Sequence, residues 1–212
     1  MATIPVRDIT TTDEELFSRF RNAGDLTAYE ALVHRYEAPL FGYLHRYLGN
    51  AEIAEEVFQA TFLRLYTRHE QFAEGRAFRP WLYAIATHKA IDAQRQERRH
   101  RRAVHEGVGC CGGDGASLLE AVPAAGLTPA EQVGDREEGR RMQAAVESLS
   151  EVQRRAVQLV YGQGLAYSDA AAILGVPVGT VKSRLHSALA ALGRIWGVAP
   201  PRRAYALAAK PA

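Results

Sequence analysis

The stretch from Gly164 to Trp196, GLAYSDAAAILGVPVGTVKSRLHSALAALGRIW, constrains the fold more than any other, because it holds two helix-length apolar patterns around a tight break. In Tyr167–Leu174 the residues Ala170, Ala171, Ile173 and Leu174 cluster on one side, and Gly175 stands where a left-handed helix-ending residue is expected. Pro177 cannot continue that helix but suits the start of another. From there Val178, Val181, Leu185, Ala188, Leu189 and Leu192 recur at spacings of three and four, which predicts a second helix with one buried stripe.

Half a turn away, the second helix reads Lys182, Ser183, His186 and Ser187, with Arg184 on the flank and Thr180 near its start. All of these donate hydrogen bonds or carry positive charge. Two helices joined by a short glycine-containing turn, the second with such a face, match a helix-turn-helix that places its second helix in the DNA major groove. No Asp or Glu follows Asp169, whereas Lys182, Arg184, Arg194, Arg202, Arg203 and Lys210 all do. This part of the chain is therefore locally basic although the whole carries only +2, and a polyanion is its natural partner.

With 212 residues, 47% of them hydrophobic, the chain can hold one medium or two small domains, each burying a real core. No apolar run approaches the length of a membrane span and no signal-like start is present, so the expectation is no membrane and a cytoplasmic location. The adjacent pair Cys110–Cys111 supplies neither a disulfide framework nor a CxxC metal spacing, even with His105 nearby; no metal or other cofactor is expected.

Residues 1–12 lack periodicity and read as a lead-in. Thr12 or Asp13 can cap a short helix that turns Leu16, Phe17 and Phe20 inward. A longer stripe follows: Tyr29, Leu32, Val33, Tyr36, Leu40, Phe41, Leu44, Tyr47 and Leu48, with Pro39 expected to kink or restart it and Gly49 to end it. Asn50 can cap the next helix, whose apolar face is Ile53, Ala54, Val57, Phe58, Thr61, Phe62 and Leu65 and whose other side, Glu52, Glu55, Glu56 and Gln59, is acidic. Beyond Phe72–Gly75 a helix from about Arg79 to Arg102 begins core-like, with Phe78, Trp81, Leu82, Ile85 and Ala86. It ends with Arg95, Arg98, Arg99, Arg101 and Arg102 against Glu97 alone, which suits a helix leaving its core to run along a phosphate backbone.

Residues 103–127 hold six glycines and no Lys or Arg, the composition of a flexible linker between helical blocks. The second block opens on Thr128 and Pro129 and continues through Val133, Met142, Ala145, Val146 and Leu149. Ser150 and Gln153 have capping-box spacing ahead of Val152, Ala156, Val157, Leu159 and Val160. Nothing reads as strand. The expectation is an all-α chain of two small helical domains, 13–102 and 128–197, with a lead-in at 1–12, a linker at 103–127 and a tail at 198–212.

These residues also carry a family likeness. GVPVGTVKSRLHSA at 175–188 resembles the second half of region 4 in bacterial RNA polymerase sigma factors of the extracytoplasmic-function (ECF) group of the sigma-70 family. AYEALVHRYEAPLFGYLHRYLG resembles region 2.1, AEEVFQATFLRLY region 2.2, and FRPWLYAIATHKAIDAQRQERR regions 2.3 and 2.4. The likeness covers about 15–102 and 128–196, in the family's order.

The resemblance implies an initiation factor that makes no covalent chemistry of its own, with RNA polymerase core and promoter DNA as partners. Glu52, Glu55, Glu56 and Gln59, with Phe62 and Leu63, match the surface that docks on the clamp helices of the polymerase's largest subunit, where a charged rim beside an apolar anchor suits the task. Trp81, His88, Lys89, Asp92 and Arg95, followed by Arg98 and Arg99, match the segment that opens and reads the minus-ten element as single-stranded DNA. Thr180, Lys182, Ser183, His186 and Ser187 match residues that read the minus-thirty-five duplex, with Arg184 placed for phosphate. Members of the group are commonly held by an anti-sigma partner.

Four positions depart from the family pattern. His88 stands where Asn is usual, Ala60 replaces a frequent Glu, and Ser187 replaces a frequent Arg. Ala166 replaces the Ser that caps the first helix of the helix-turn-helix, with Ser168 expected to substitute; the loss costs about 1 kcal/mol of stability. Two other readings fit the residues less well. A conventional regulator that binds an operator through its helix-turn-helix lacks a sensor signature in 13–102, and an enzyme would need a His or Ser partner for Glu52, Glu55 and Glu56.

Overall fold

A computed structural model describes residues 11–73, 75–105 and 141–196. The chain divides into two units, Met1–Gly112 and Gly113–Ala212. Among the described residues every regular element is helical.

In the first unit, α1 (Asp13–Ala23) starts at a capping box: Glu15 N–H donates to Thr12 Oγ1 at 3.2 Å and Thr12 N–H donates to the Glu15 carboxylate at 2.9 Å. It ends on Gly24 at φ 64°. Asp25 then caps α2 (Leu26–Leu48), accepting from the N–H groups of Thr27 and Ala28. Helix α2 runs unbroken through Pro39, whose side chain is exposed, so the anticipated restart does not occur. Asn50 caps α3 (Ala51–Thr67) through Ile53 N–H at 3.0 Å. A single 3-10 turn, His69–Gln71, leads on to α4 (Phe78–His105).

The core lies where these helices meet: Phe17 and Phe20 of α1, Leu32, Leu40, Tyr43 and Leu44 of α2, Val57 and Leu65 of α3, and Phe78, Leu82, Tyr83 and Ala86 of α4. Two of its polar side chains, Tyr43 and Thr87, bond each other. Tyr43 Oη and Thr87 Oγ1 are 2.8 Å apart, and Thr87 also donates to Tyr83 O at 2.7 Å. Tyr36 donates to the Asp13 carboxylate, which also pairs with Arg35, and burial together with that bond raises the Tyr36 hydroxyl's pKa well above the tyrosine norm. Helix α1 also sets the start of α4, because the Glu14 carboxylate accepts from Phe78 N–H at 2.9 Å.

In the second unit, the described part of α5 (141–147) buries Ala145, and Leu149 just beyond it is buried as well. Gln153 accepts from the N–H and hydroxyl of Ser150 at the start of α6 (Glu151–Val157). A π-helical turn follows at Gln158–Gly162, which the apolar spacing did not announce. Leu159 and Val160 are buried there as expected, but Val152 in the first turn of α6 is exposed. Helix α7 (Tyr167–Leu174) begins at Ala166 with no side-chain cap, and Ser168 lies inside its first turn, too late to take over that role. Gly175, at φ 63°, ends it. After Val176 and Pro177 comes α8 (Val178–Trp196), which buries Val181, Leu185 and Ala188, while Val178 at its first position is exposed.

Helix α4 extends to His105, three residues into the stretch assigned to the linker. The lead-in through residue 10, the remaining linker with Cys110–Cys111, the expected helix start at Thr128–Pro129 and the tail lie outside the described residues, as do the side chains of Arg101 and Arg102.

Candidate nucleic-acid and partner interfaces

Helix α4 carries its candidate residues on one stripe. Steps of three and four from Trp81 reach Ile85, His88, Asp92, Arg95 and Arg99, on the side opposite Leu82, Ala86 and Ala90, which are fully buried. His88, Asp92, Arg95 and Arg99 are exposed, Lys89 is half-buried on one flank, and Arg98 is exposed on the other.

Trp81 is held rigidly at the head of this stripe. It packs against Phe72 with ring centroids 4.9 Å apart and edge-on geometry, and against Phe17 at 5.4 Å, and it remains half-exposed. Arg21 fixes the approaching loop by donating to Phe72 O at 3.2 Å. Farther along, Gln94 donates to Tyr47 O at 3.2 Å, tying α4 to the end of α2. Beyond that tie Arg95, Gln96, Arg98, Arg99 and His100 are exposed and Glu97 is half-buried, so the helix leaves the bundle where its charge becomes basic.

Asp92 and Arg95 lie 3.9 Å apart on the open surface, and Arg99 Nε donates to Arg95 O at 3.3 Å. An exposed pair of this kind contributes at most about 1 kcal/mol. A phosphate can therefore draw Arg95 away at little cost.

On α8, Lys182, Ser183, His186 and Ser187 are all exposed and lie opposite the buried Val181, Leu185 and Ala188. Ser183 Oγ donates to Thr180 O at 3.0 Å, Thr180 is half-buried at the helix start, and Arg184 is half-buried on the flank. Pro177 O accepts from the N–H groups of Thr180 and Val181, which fixes how α8 leaves the turn.

The outward side of α3 presents Glu52, Glu55, Glu56 and Gln59, with Gln59 donating to the Glu55 carboxylate at 2.8 Å. Leu63 continues this face at 64% exposure. Phe62 does not belong to it: at 5% exposure it packs on Phe58 and Tyr29 inside the bundle, because its position falls on the buried stripe of α3 rather than the acidic one. The apolar member that sequence reasoning missed is Tyr66, 45% exposed and three residues beyond Leu63; continuing the same three-and-four spacing would have found it.

Among the described residues no group of three or more His, Cys, Asp or Glu side chains is arranged to hold a metal ion, and no helix is long and apolar enough to cross a membrane. The described surface offers extended charged helix faces.

Comparison with known proteins places both units in one family. The model for Sigma-70 region 2 matches residues 32–100, and that for Sigma-70, region 4 matches residues 139–192. The ECF RNA polymerase sigma factor SigW of Bacillus subtilis is 31% identical over 169 residues, 80% of this chain and 89% of that protein. The ECF RNA polymerase sigma-E factor of Haemophilus influenzae is 32% identical over 180 residues, 84% of this chain and 91% of that protein. Two solved structures share the fold. CnrH in complex with the cytosolic domain of CnrY gives a TM-score of 0.59 at 22% identity, covering 87% of this chain and 97% of that one. The sigma factor RpoE of Bartonella quintana, in complex with the anti-sigma factor NepR, gives 0.61 at 23% identity, covering 80% of this chain and 97% of that one. Two family regions in order, and relatives alike over most of their length, make the chain a member of the ECF group of the sigma-70 family of RNA polymerase sigma factors.

Proposed function

We propose that this sigma factor binds core RNA polymerase through α3, reads and holds the opened minus-ten element along α4, and reads the minus-thirty-five duplex with α8. The observation that carries the reading is the sorting of charge among exposed helix faces: acids on α3, and cations and hydrogen-bond donors on α4 and α8. Glu52, Glu55, Glu56 and Gln59 form a polar rim beside Leu63 and Tyr66, the arrangement a protein interface favours. Trp81 offers an aromatic surface for an unstacked base, with His88, Lys89, Asp92 and Arg95 following it and Arg98 and Arg99 reaching for the backbone. On α8, Lys182, Ser183, His186 and Ser187 face the base edges, Thr180 sits at the groove entrance, and Arg184 takes phosphate.

The chain supplies recognition, and polymerase supplies the chemistry. Docking on core raises the effective concentration of both DNA faces at one promoter, since the second contact becomes intramolecular once the first has formed. The protein acts in the cytoplasm, where polymerase and chromosome are. An anti-sigma protein is a further candidate partner, since the RpoE that shares this fold is solved in complex with the anti-sigma factor NepR.

In-vitro transcription with purified core over a genomic DNA library tests the proposal. The expected result is a discrete set of start sites that appear only when the protein is added. Failure to direct core to any start site overturns it.

A further inference from the structure

Both candidate DNA faces carry an exposed histidine at their centre, His88 on α4 and His186 on α8. Other histidines of the first unit are engaged: His34 lies 3.6 Å from Glu37, His45 stacks on Phe41, and His69 is 2.7 Å from Tyr66 O with its ring edge-on to Phe20. Among the described residues, neither His88 nor His186 has a hydrogen bond, ion pair or ring contact within the protein. His100, also on α4, lies about a quarter turn off the stripe. Two imidazoles are thus left open on the two surfaces that would meet a polyanion.

We propose that promoter binding is coupled to proton uptake at His88 and His186, so that the holoenzyme grips DNA more tightly as pH falls. The inference rests on reading α4 and α8 as DNA faces. Imidazole changes charge between about pH 5 and 8, and its cation adds a phosphate-neutralising charge. Phosphate favours the protonated ring, and by reciprocity the protonated ring favours phosphate.

The charged neighbours permit this coupling. His88 shares its helix with Lys89, Asp92 and Arg95; among the described residues no charged group of α1, α2 or α3 forms an ion pair with it. His186 follows Lys182 by one turn and has Arg184 nearby on α8. Across from α8, Glu151 of α6 is paired with Arg155, while Arg154 of α6 and Asp169 of α7 make no ion pair with His186. DNA phosphate is the anionic group that promoter binding would bring to either ring.

The test measures holoenzyme binding to a promoter duplex carrying a start site found by in-vitro transcription. Affinity is followed at about pH 6 and about pH 8, across roughly 50 to 200 mM salt. Wild type is compared with His88→Gln, His186→Gln, the double glutamine variant and the double arginine variant. Wild type should bind severalfold tighter at the lower pH, and its log–log salt slope should steepen by up to about 0.9 for a histidine on duplex and about 0.7 for one on single strand. The double glutamine variant should lose that gain, and the double arginine variant should bind tightly at both pH values. A double glutamine variant that keeps the full pH response overturns the inference and leaves DNA recognition intact. A holoenzyme that binds no promoter at either pH overturns both.

Discussion

Asp25 closes the start of α2 with more bonds than a cap requires. Its carboxylate accepts from the Thr27 hydroxyl, the Thr27 and Ala28 N–H groups and, through two donors, Arg19. These bonds, the Thr27 hydroxyl foremost, lower its pKa from 3.8 to about 2. Because the folded value lies below the unfolded one, its contribution to stability is complete above pH 3.8 and disappears as pH falls through about 2. Thermal melts followed by circular dichroism should show Asp25→Asn lowering Tm at neutral pH, with the gap to wild type closing toward pH 2. A gap that stays constant to pH 2 would mean the carboxylate charge is not what matters. Two glycines of the helix-turn-helix make a second residue-scale contrast. A methyl at either Gly175 or Gly179 meets nothing within 4 Å, so only the backbone decides. Gly175 has φ 63°, and Gly175→Ala should cost about 1 kcal/mol. Gly179 lies in the first turn of α8, where Gly179→Ala should gain up to about 0.5 kcal/mol. Denaturant titration separates the two signs.

At the scale of elements, the hydrogen bond between Tyr43 and Thr87 joins α2 to α4 in the middle of the core. Tyr43→Phe keeps the ring and removes one buried polar partner, while Thr87 retains its bond to Tyr83 O. The expected loss is about 1 kcal/mol in urea unfolding, with an unchanged m-value. A loss well above 3 kcal/mol would show that the hydroxyl organises more than this contact. The stripe read from the sequence omits Tyr43, although it stands three residues after Leu40 and four before Tyr47 on that same face; its bond to Thr87 escapes because partners distant in sequence leave no local mark. Helix ends were more legible, since Thr12, Asn50, Gly49 and Gly175 act through bonds and dihedrals only a few residues away. The apolar spacing sets Val152 and Val178 inward, yet both stand exposed in the first turn of a helix. The π turn at Gln158–Gly162 escaped because an added residue per turn is a change of register that a period of 3.6 averages away. The resemblance assigns Phe62 to the docking surface as an apolar anchor, although its place with Phe58 and Leu65 on the apolar face of α3 sets it inward.

For the molecule as a whole, the charge total of +2 conceals one acidic and two basic surfaces, and the proposed function requires that they be separable. The acids of α3 lie on an exposed face with no role in the core, so Glu55→Lys with Glu56→Lys should leave Tm within about 2 °C of wild type. The same pair should weaken association with core at least tenfold, measured by fluorescence anisotropy on labelled protein, because two attractive rim charges become repulsive. Lys182→Ala should do the converse. Core association should be unchanged, while transcription from a cognate promoter falls about fivefold or more, as loss of one donor to a base edge removes about 1 kcal/mol or more. Restoring the missing charge elsewhere on α8 should not rescue it if the ammonium reads a base, but should rescue it in part if the ammonium serves only the field around phosphate. The decisive comparison is the triple variant. If α3 serves polymerase and α8 serves DNA, its two defects measured separately should equal those of the parents, since mutations that share no partner add. A charge reversal on α3 that restores promoter output to the Lys182→Ala protein would instead mean that both helices work through the overall electrostatic field, and the division of labour between the two units would fail.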